Sequence, residues 1–137
     1  VLDYYPYDAV HYNWITTLDG VVQKYKKGDY EYDLPQRLID LNEKREYGRY
    51  GSPDGYMPVC FITNNDITGG NSGSPVINGN GELIGLAFDG NWEAMTGNIA
   101  FEPDLQRCIS VDIRYVLWVI DIYSGAGYLL DEMDIRE

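Results

Sequence analysis

TGGNSGSPVINGNGELIGLAFD, residues 68–89, decides the reading of this chain. Two short apolar runs, SPVIN (74–78) and ELIGLAFD (82–89), flank Gly79, Asn80 and Gly81. Glycine there reaches positive φ at no steric cost, so the pair predicts a β-hairpin. Immediately before it, Ser72 stands between Asn71 and Gly73, with Gly70 two residues earlier. A serine hydroxyl is a weak nucleophile. It works only when exposed on a sharp turn, with a base in reach and backbone N–H groups aimed at the developing oxyanion. Gly70 and Gly73 permit that geometry. The same composition also suits a plain hairpin connection or an anion-binding nest. A phosphate cradle is disfavoured, because neither a helix start nor a lysine follows.

Outward from the hairpin, MPVCFIT (57–63) reads as a buried strand, and GNIAFE (97–102) and RCISVDI (107–113) can each add one. SVDIRYVLWVIDIYSG (110–125) then turns helical, with Val111, Tyr115, Leu117, Trp118 and Ile122 forming a wide apolar face that Gly125 ends. GYLLDEMDI (127–135) adds a further helical turn. Toward the N-terminus, VHYNWI (10–15) alternates as a strand does. LDGVVQKYKKG (18–28) predicts a helix capped by Thr16 or Thr17 and stopped at Gly28. DLPQRLIDLNEKREYG (33–48) predicts a second, with Asp33 as cap, Pro35 in the first turn, and Leu38, Ile39 and Leu41 inward.

The 137 residues suffice for one domain with a hydrophobic core. A formal net charge of −12, from 10 Lys+Arg against 22 Asp+Glu, repels nucleic acid and anionic membrane surfaces, so neither is expected as a partner. The longest apolar run, Tyr115–Ile120, is far short of the ~20 residues a spanning helix needs. The chain opens in mid-pattern without an initiator methionine, so a piece of a longer protein is expected. Cys60 and Cys108 are expected as buried thiols. With no His/Cys cluster at ligand spacing, no metal or organic cofactor is expected.

The hairpin and its serine turn, together with GGNSGSP (69–75), FDGNWE (88–93), SVDIRYVL (110–117) and GRYGSPDGYMPVCFIT (48–63), resemble the C-terminal segment of the bacterial dipeptidyl-peptidase 7 and 11 family. These are trypsin-like serine exopeptidases, and the resemblance runs through most of the chain. It implies a mainly β fold with added helices, the C-terminal β-barrel part of a chymotrypsin-fold peptidase ending in a helix. Residues 1–137 would then be one domain, with 1–55 a strand plus helical segment and 56–137 the barrel strands and closing helix. It also implies a peptide substrate, a periplasmic or cell-surface setting in a Gram-negative bacterium, a homodimeric parent, and an N-terminal part that completes the peptidase.

Carried over residue by residue, the resemblance makes Ser72 the nucleophile and assigns the N–H groups of Gly70 and Ser72 to the oxyanion hole. Asn71 replaces an aspartate of trypsin that pairs with a newly cut N-terminus. Asp89 matches the carboxylate that holds the substrate's α-amino group, which enforces exopeptidase action. Gly90 occupies the position where arginine goes with acidic P1 residues and glycine with bulky or apolar ones, so an apolar P1 is expected. Asp66, six residues before Ser72, competes as a pocket floor for basic P1 residues. Gly90 carries more weight, since no disulfide orients the loop holding Asp66. A triad also needs an imidazole and a carboxylate. His11 is the one histidine, and it lies too close to Ser72 in sequence for the trypsin-like order. The chain alone is therefore expected to be inactive. The rival reading is a non-catalytic, trypsin-like peptide-binding module.

Overall fold

The computed structural model describes residues 13–96 and 100–136. Its sheet has five strands: β1 (Ile15–Thr17), β2 (Pro58–Thr63), β3 (Pro75–Ile77), β4 (Leu83–Gly90) and β5 (Cys108–Asp112). Their lateral order is β1-β2-β5-β4-β3. β2 and β5 pair antiparallel with Phe61 opposite Ser110, and β3 and β4 pair antiparallel with Val76 opposite Gly85. Among the described residues β1 and β3 are the outer strands of this order, and the β-barrel part that the resemblance implied is not seen as such.

The hairpin forms where expected, but its connection is organised by Asn78. Asn78 Oδ1 accepts from the N–H groups of Asn80 at 2.9 Å and Glu82 at 3.0 Å, while its amide donates to Glu82 Oε2 at 2.6 Å. The Asn78 N–H donates to the Glu82 carbonyl at 3.0 Å, closing the turn around Gly79, Asn80 and Gly81, while the register slips between Val76 and Ile77. GNIAFE is not seen as a strand: residues 97–99 lie outside those described, and residues 100–102 are irregular. Of the VHYNWI strand only Ile15 belongs to β1, residues 10–12 being outside the described set.

By packing, the chain divides into two compact units. One comprises Cys60–Val111 with the described residues up to Ile15; the other comprises Thr16–Val59 and the residues from Asp112 onward. In the first, Phe61, Ala87 and Cys108 are buried. β4 packs tightly at Gly85, where a Cβ would meet the Val111 carbonyl oxygen at 2.6 Å and Phe61 Cε1 at 2.7 Å. No disulfide joins the cysteines. Cys60 faces Val111 and Cys108 faces Thr63, a stagger of three residues, or roughly 10 Å along the strands, beyond the reach of an S–S bridge.

The second unit is helical. Thr17 caps α1 (Leu18–Gln23) by accepting from the Gly20 N–H at 3.3 Å, and the helix ends at Lys24, before Gly28. α2 (Gln36–Glu43) buries Leu38, Ile39 and Leu41. Its N-cap is Pro35 and not Asp33, whose carboxylate turns to the adjacent Leu34 N–H instead. Asp112 caps α3 (Ile113–Trp118), which continues as a π turn over Val119–Tyr123, and a 3₁₀ turn spans Gly127–Glu132. Trp118 is fully buried, stacks on Tyr115 at 5.7 Å between centroids, and donates its indole N–H to the Glu46 carbonyl at 2.9 Å.

Candidate active site

Ser72 sits in a loop whose backbone is closed by its neighbours. The Asn71 N–H donates to the Thr68 carbonyl at 3.1 Å, and the Thr68 N–H donates to Asn71 Oδ1 at 2.8 Å. Beyond the serine, the Gly73 N–H donates to the Ala87 carbonyl at 2.7 Å and the Ala87 N–H to the Ser74 carbonyl at 2.9 Å, fastening the loop to β4. Gly70 and Gly73 have φ of 102° and 84°, a region that L side chains rarely adopt. The N–H groups of Asn71, Gly73 and Ser74 are all used within this network, the last donating to the Asn71 carbonyl at 2.9 Å. Among the described residues, those of Gly70 and Ser72 have no hydrogen-bond partner. The Ser72 side chain is exposed, and its hydroxyl approaches the Phe88 carbonyl at 3.4 Å.

An open pocket of about 260 Å³ lies beside this serine. It brings together three of the residues singled out from sequence: Ser72, Asp89 and Gly90. Asp89 is exposed at the end of β4, and one of its carboxylate oxygens accepts from the Gly90 N–H at 2.8 Å. It is the one charged residue among the described residues lining the pocket. Apolar lining comes from Ile67, Ala87, Phe88, Ala94 and Met95. Gly70 belongs to the serine loop but not to the lining. Asp66 opens instead onto a second pocket of about 200 Å³, with Ser74, Pro75, Val76 and Cys108.

The far wall was missed in the sequence reading. It is a 3₁₀ turn, Trp92–Thr96, held by Asn91. The Asn91 amide donates to the Leu105 carbonyl at 2.8 Å, its Oδ1 accepts from the Arg107 N–H at 2.8 Å, and its N–H donates to the Arg107 carbonyl at 3.0 Å. Asn91 directly after Gly90 is a turn signal that could have announced this wall. No histidine stands among the described residues, His11 lying outside them. No group of side chains among them could hold a metal ion.

The profile of the family described as Peptidase S46 matches residues 1–135. The chain belongs to the peptidase S46 family. Within it, the chain is 58% identical over 137 residues to a dipeptidyl-peptidase 7 of Phocaeicola vulgatus, covering 100% of this chain and 19% of that protein. It is 56% identical over 135 residues to an Asp/Glu-specific dipeptidyl-peptidase of Capnocytophaga gingivalis, covering 98% of this chain and 19% of that protein. A crystal structure of Porphyromonas endodontalis DPP11 in complex with the dipeptide Arg-Asp superimposes with a TM-score of 0.92 at 47% identity, over 97% of this chain and 19% of that one. The chain thus spans about a fifth of the length of the S46 relatives it matches.

Proposed function

We propose that this chain carries the nucleophile and the amino-group end of the site of a serine dipeptidyl-peptidase. Ser72 attacks the scissile carbonyl and the N–H groups of Gly70 and Ser72 receive the oxyanion; the peptide C–N bond then breaks, the shortened peptide leaves as an amine with the proton that the base took from Ser72, and water hydrolyses the Ser72 acyl-enzyme to free the dipeptide. Asp89 pairs with the substrate's free α-ammonium, so that cleavage falls two residues in. The observation that carries the reading is one pocket holding an exposed serine on a glycine-strained turn and a single carboxylate. The base and its orienting carboxylate come from chain beyond these 137 residues, so the isolated chain turns over almost nothing.

The P1 preference is the finer question. Relatives of both names match at similar identity, and the Arg-Asp complex favours an acidic P1. The expectation of an apolar P1 has no support from these similarities and rests on the pocket. Its described lining has five apolar side chains and no Lys or Arg, so it offers an acidic P1 side chain no cation to pair with. We take the apolar P1 as the better reading of the geometry.

The test uses the protein that contains this chain. A fluorophosphonate probe should label it and fail to label Ser72→Ala. Dipeptidyl substrates with Leu, Phe or Met at P1 should be cleaved faster than those with Asp or Glu. Absence of labelling would favour a non-catalytic peptide-binding role. Faster cleavage after Asp or Glu would establish the acidic reading.

A further inference from the structure

Position 90 is closed by packing, not by backbone conformation. Gly90 is not among the glycines with positive φ, so no left-handed backbone bars a side chain there. A Cβ placed on it, however, would lie 2.8 Å from Ala94 Cβ, with Ile67 Cδ1 at 3.3 Å and the Arg107 carbonyl oxygen at 3.6 Å. The Ile67 contact is with the end of a flexible side chain and yields by rotation. Ala94 Cβ is bonded directly to the main chain, so it moves only if the 3₁₀ turn moves.

That turn is tied down. The Ala94 N–H donates to the Asn91 carbonyl at 3.0 Å, and Asn91 itself is held by three hydrogen bonds to Leu105 and Arg107. The Arg107 guanidinium in turn closes its own loop on the carbonyls of Pro103, Asp104 and Gln106, at 2.8, 3.0 and 2.6 Å. Shifting Ala94 by the several tenths of an ångström that a Cβ needs would strain this whole set.

We propose that Ala94 is a second specificity-determining residue, whose methyl group keeps position 90 without a side chain. This rests on the reading of the pocket as the P1 site. An acidic P1 side chain needs a cation, best supplied by a guanidinium that pairs with both carboxylate oxygens. An arginine at position 90 would lie in the pocket wall, but it enters only when residue 94 is glycine. Ala94 thereby holds the pocket apolar as much as Gly90 does, and changing either residue alone does not convert it.

Two measurements on the protein containing this chain decide the matter. In the first, thermal unfolding is compared for Gly90→Ala, Ala94→Gly and the pair. Gly90→Ala should lower the midpoint by several degrees in the parent background and leave it nearly unchanged where residue 94 is glycine. An equal drop in both backgrounds would overturn the constraint, whatever the substrate. In the second, kcat/KM is compared for substrates with Asp and Leu at P1. Gly90→Arg should lose Leu cleavage without gaining Asp cleavage, and Gly90→Arg with Ala94→Gly should cleave the Asp substrate at least about ten-fold better than Gly90→Arg alone. Equal Asp cleavage by the two would sink the role of Ala94 in specificity. A parent enzyme that already prefers Asp would overturn the P1 reading instead, while the unfolding comparison still reports on the contact between residues 90 and 94.

Discussion

Asn71 and Thr68 hold each other twice, once through the Asn71 N–H and the Thr68 carbonyl at 3.1 Å and once through the Thr68 N–H and Asn71 Oδ1 at 2.8 Å. The second bond needs only a side-chain acceptor at position 71. It braces the turn in which Gly70 takes its φ of 102°, two residues before the serine. Asn71→Ala should lower kcat by up to about 10²-fold with little change in KM, since small displacements of donor groups cost that much. Asn71→Asp keeps the acceptor and should recover most of the loss. Steady-state kinetics on the containing protein would show it, and an unchanged kcat in Asn71→Ala would mean that the turn holds without the side chain.

Asp89 should matter for recognition and not for the reactivity of the serine. Asp89→Asn is expected to reduce kcat/KM for substrates with a free N-terminus by about five-fold, the order of an exposed ion pair worth up to about 1 kcal/mol. Labelling of Ser72 by a small fluorophosphonate, which has no ammonium group, should proceed at the parental rate. Equal losses in both assays would assign Asp89 to the architecture of the β4 end.

Gly85 should tolerate no side chain. A methyl group there would sit 2.6 Å from the Val111 carbonyl oxygen and 2.7–2.8 Å from the Phe61 ring, so Gly85→Ala must push β4 away from its neighbours. The expected cost is about 1–3 kcal/mol, as for other overpacked core sites. Denaturant unfolding measures it, and Phe61→Leu in the same background should return part of the loss by vacating the ring's position.

Acid should weaken the helical unit through Asp19. Its carboxylate is held below the usual range first by the hydrogen bond from Arg45, at 2.7 Å, which outweighs the opposing effect of burial, and then by the Asn42 amide at 3.0 Å. A depressed folded-state pKa means that the contribution is complete above the unfolded value of about 3.9 and is lost as pH falls through the folded value. Stability should therefore decline below about pH 4, and Asp19→Asn should decline less over that interval. Both partners are about half exposed, with side-chain exposures of 52% for Arg45 and 42% for Asp19, so solvent screening keeps the difference small. Circular dichroism melts at pH 3 and pH 6 compare the two.

Much of the local structure is legible from residue order. Thr17 before an apolar-periodic run is a cap because its hydroxyl reaches the Gly20 N–H across one turn. Leu38, Ile39 and Leu41 share a buried face because helical spacing puts them there. The start of α2 is not legible in the same way, because Asp33 and Pro35 both suit a helix entry; the chain uses Pro35, while the Asp33 carboxylate binds the next N–H. Helical continuity past Trp118 is legible, but its passage into a π turn is not.

By itself, the sequence determined the hairpin, the serine on its glycine turn and the capped, amphipathic helices, because turn chemistry and periodicity act over a few residues. The tertiary structure alone decided the lateral order β1-β2-β5-β4-β3, the separation of Asp66 from the Ser72 pocket, and the wall that brings Ala94 against Gly90. Those depend on which strands pair across long stretches of chain and on how Asn91 reaches Leu105 and Arg107. Such choices are made by packing and by hydrogen bonds between distant residues, which no local pattern encodes.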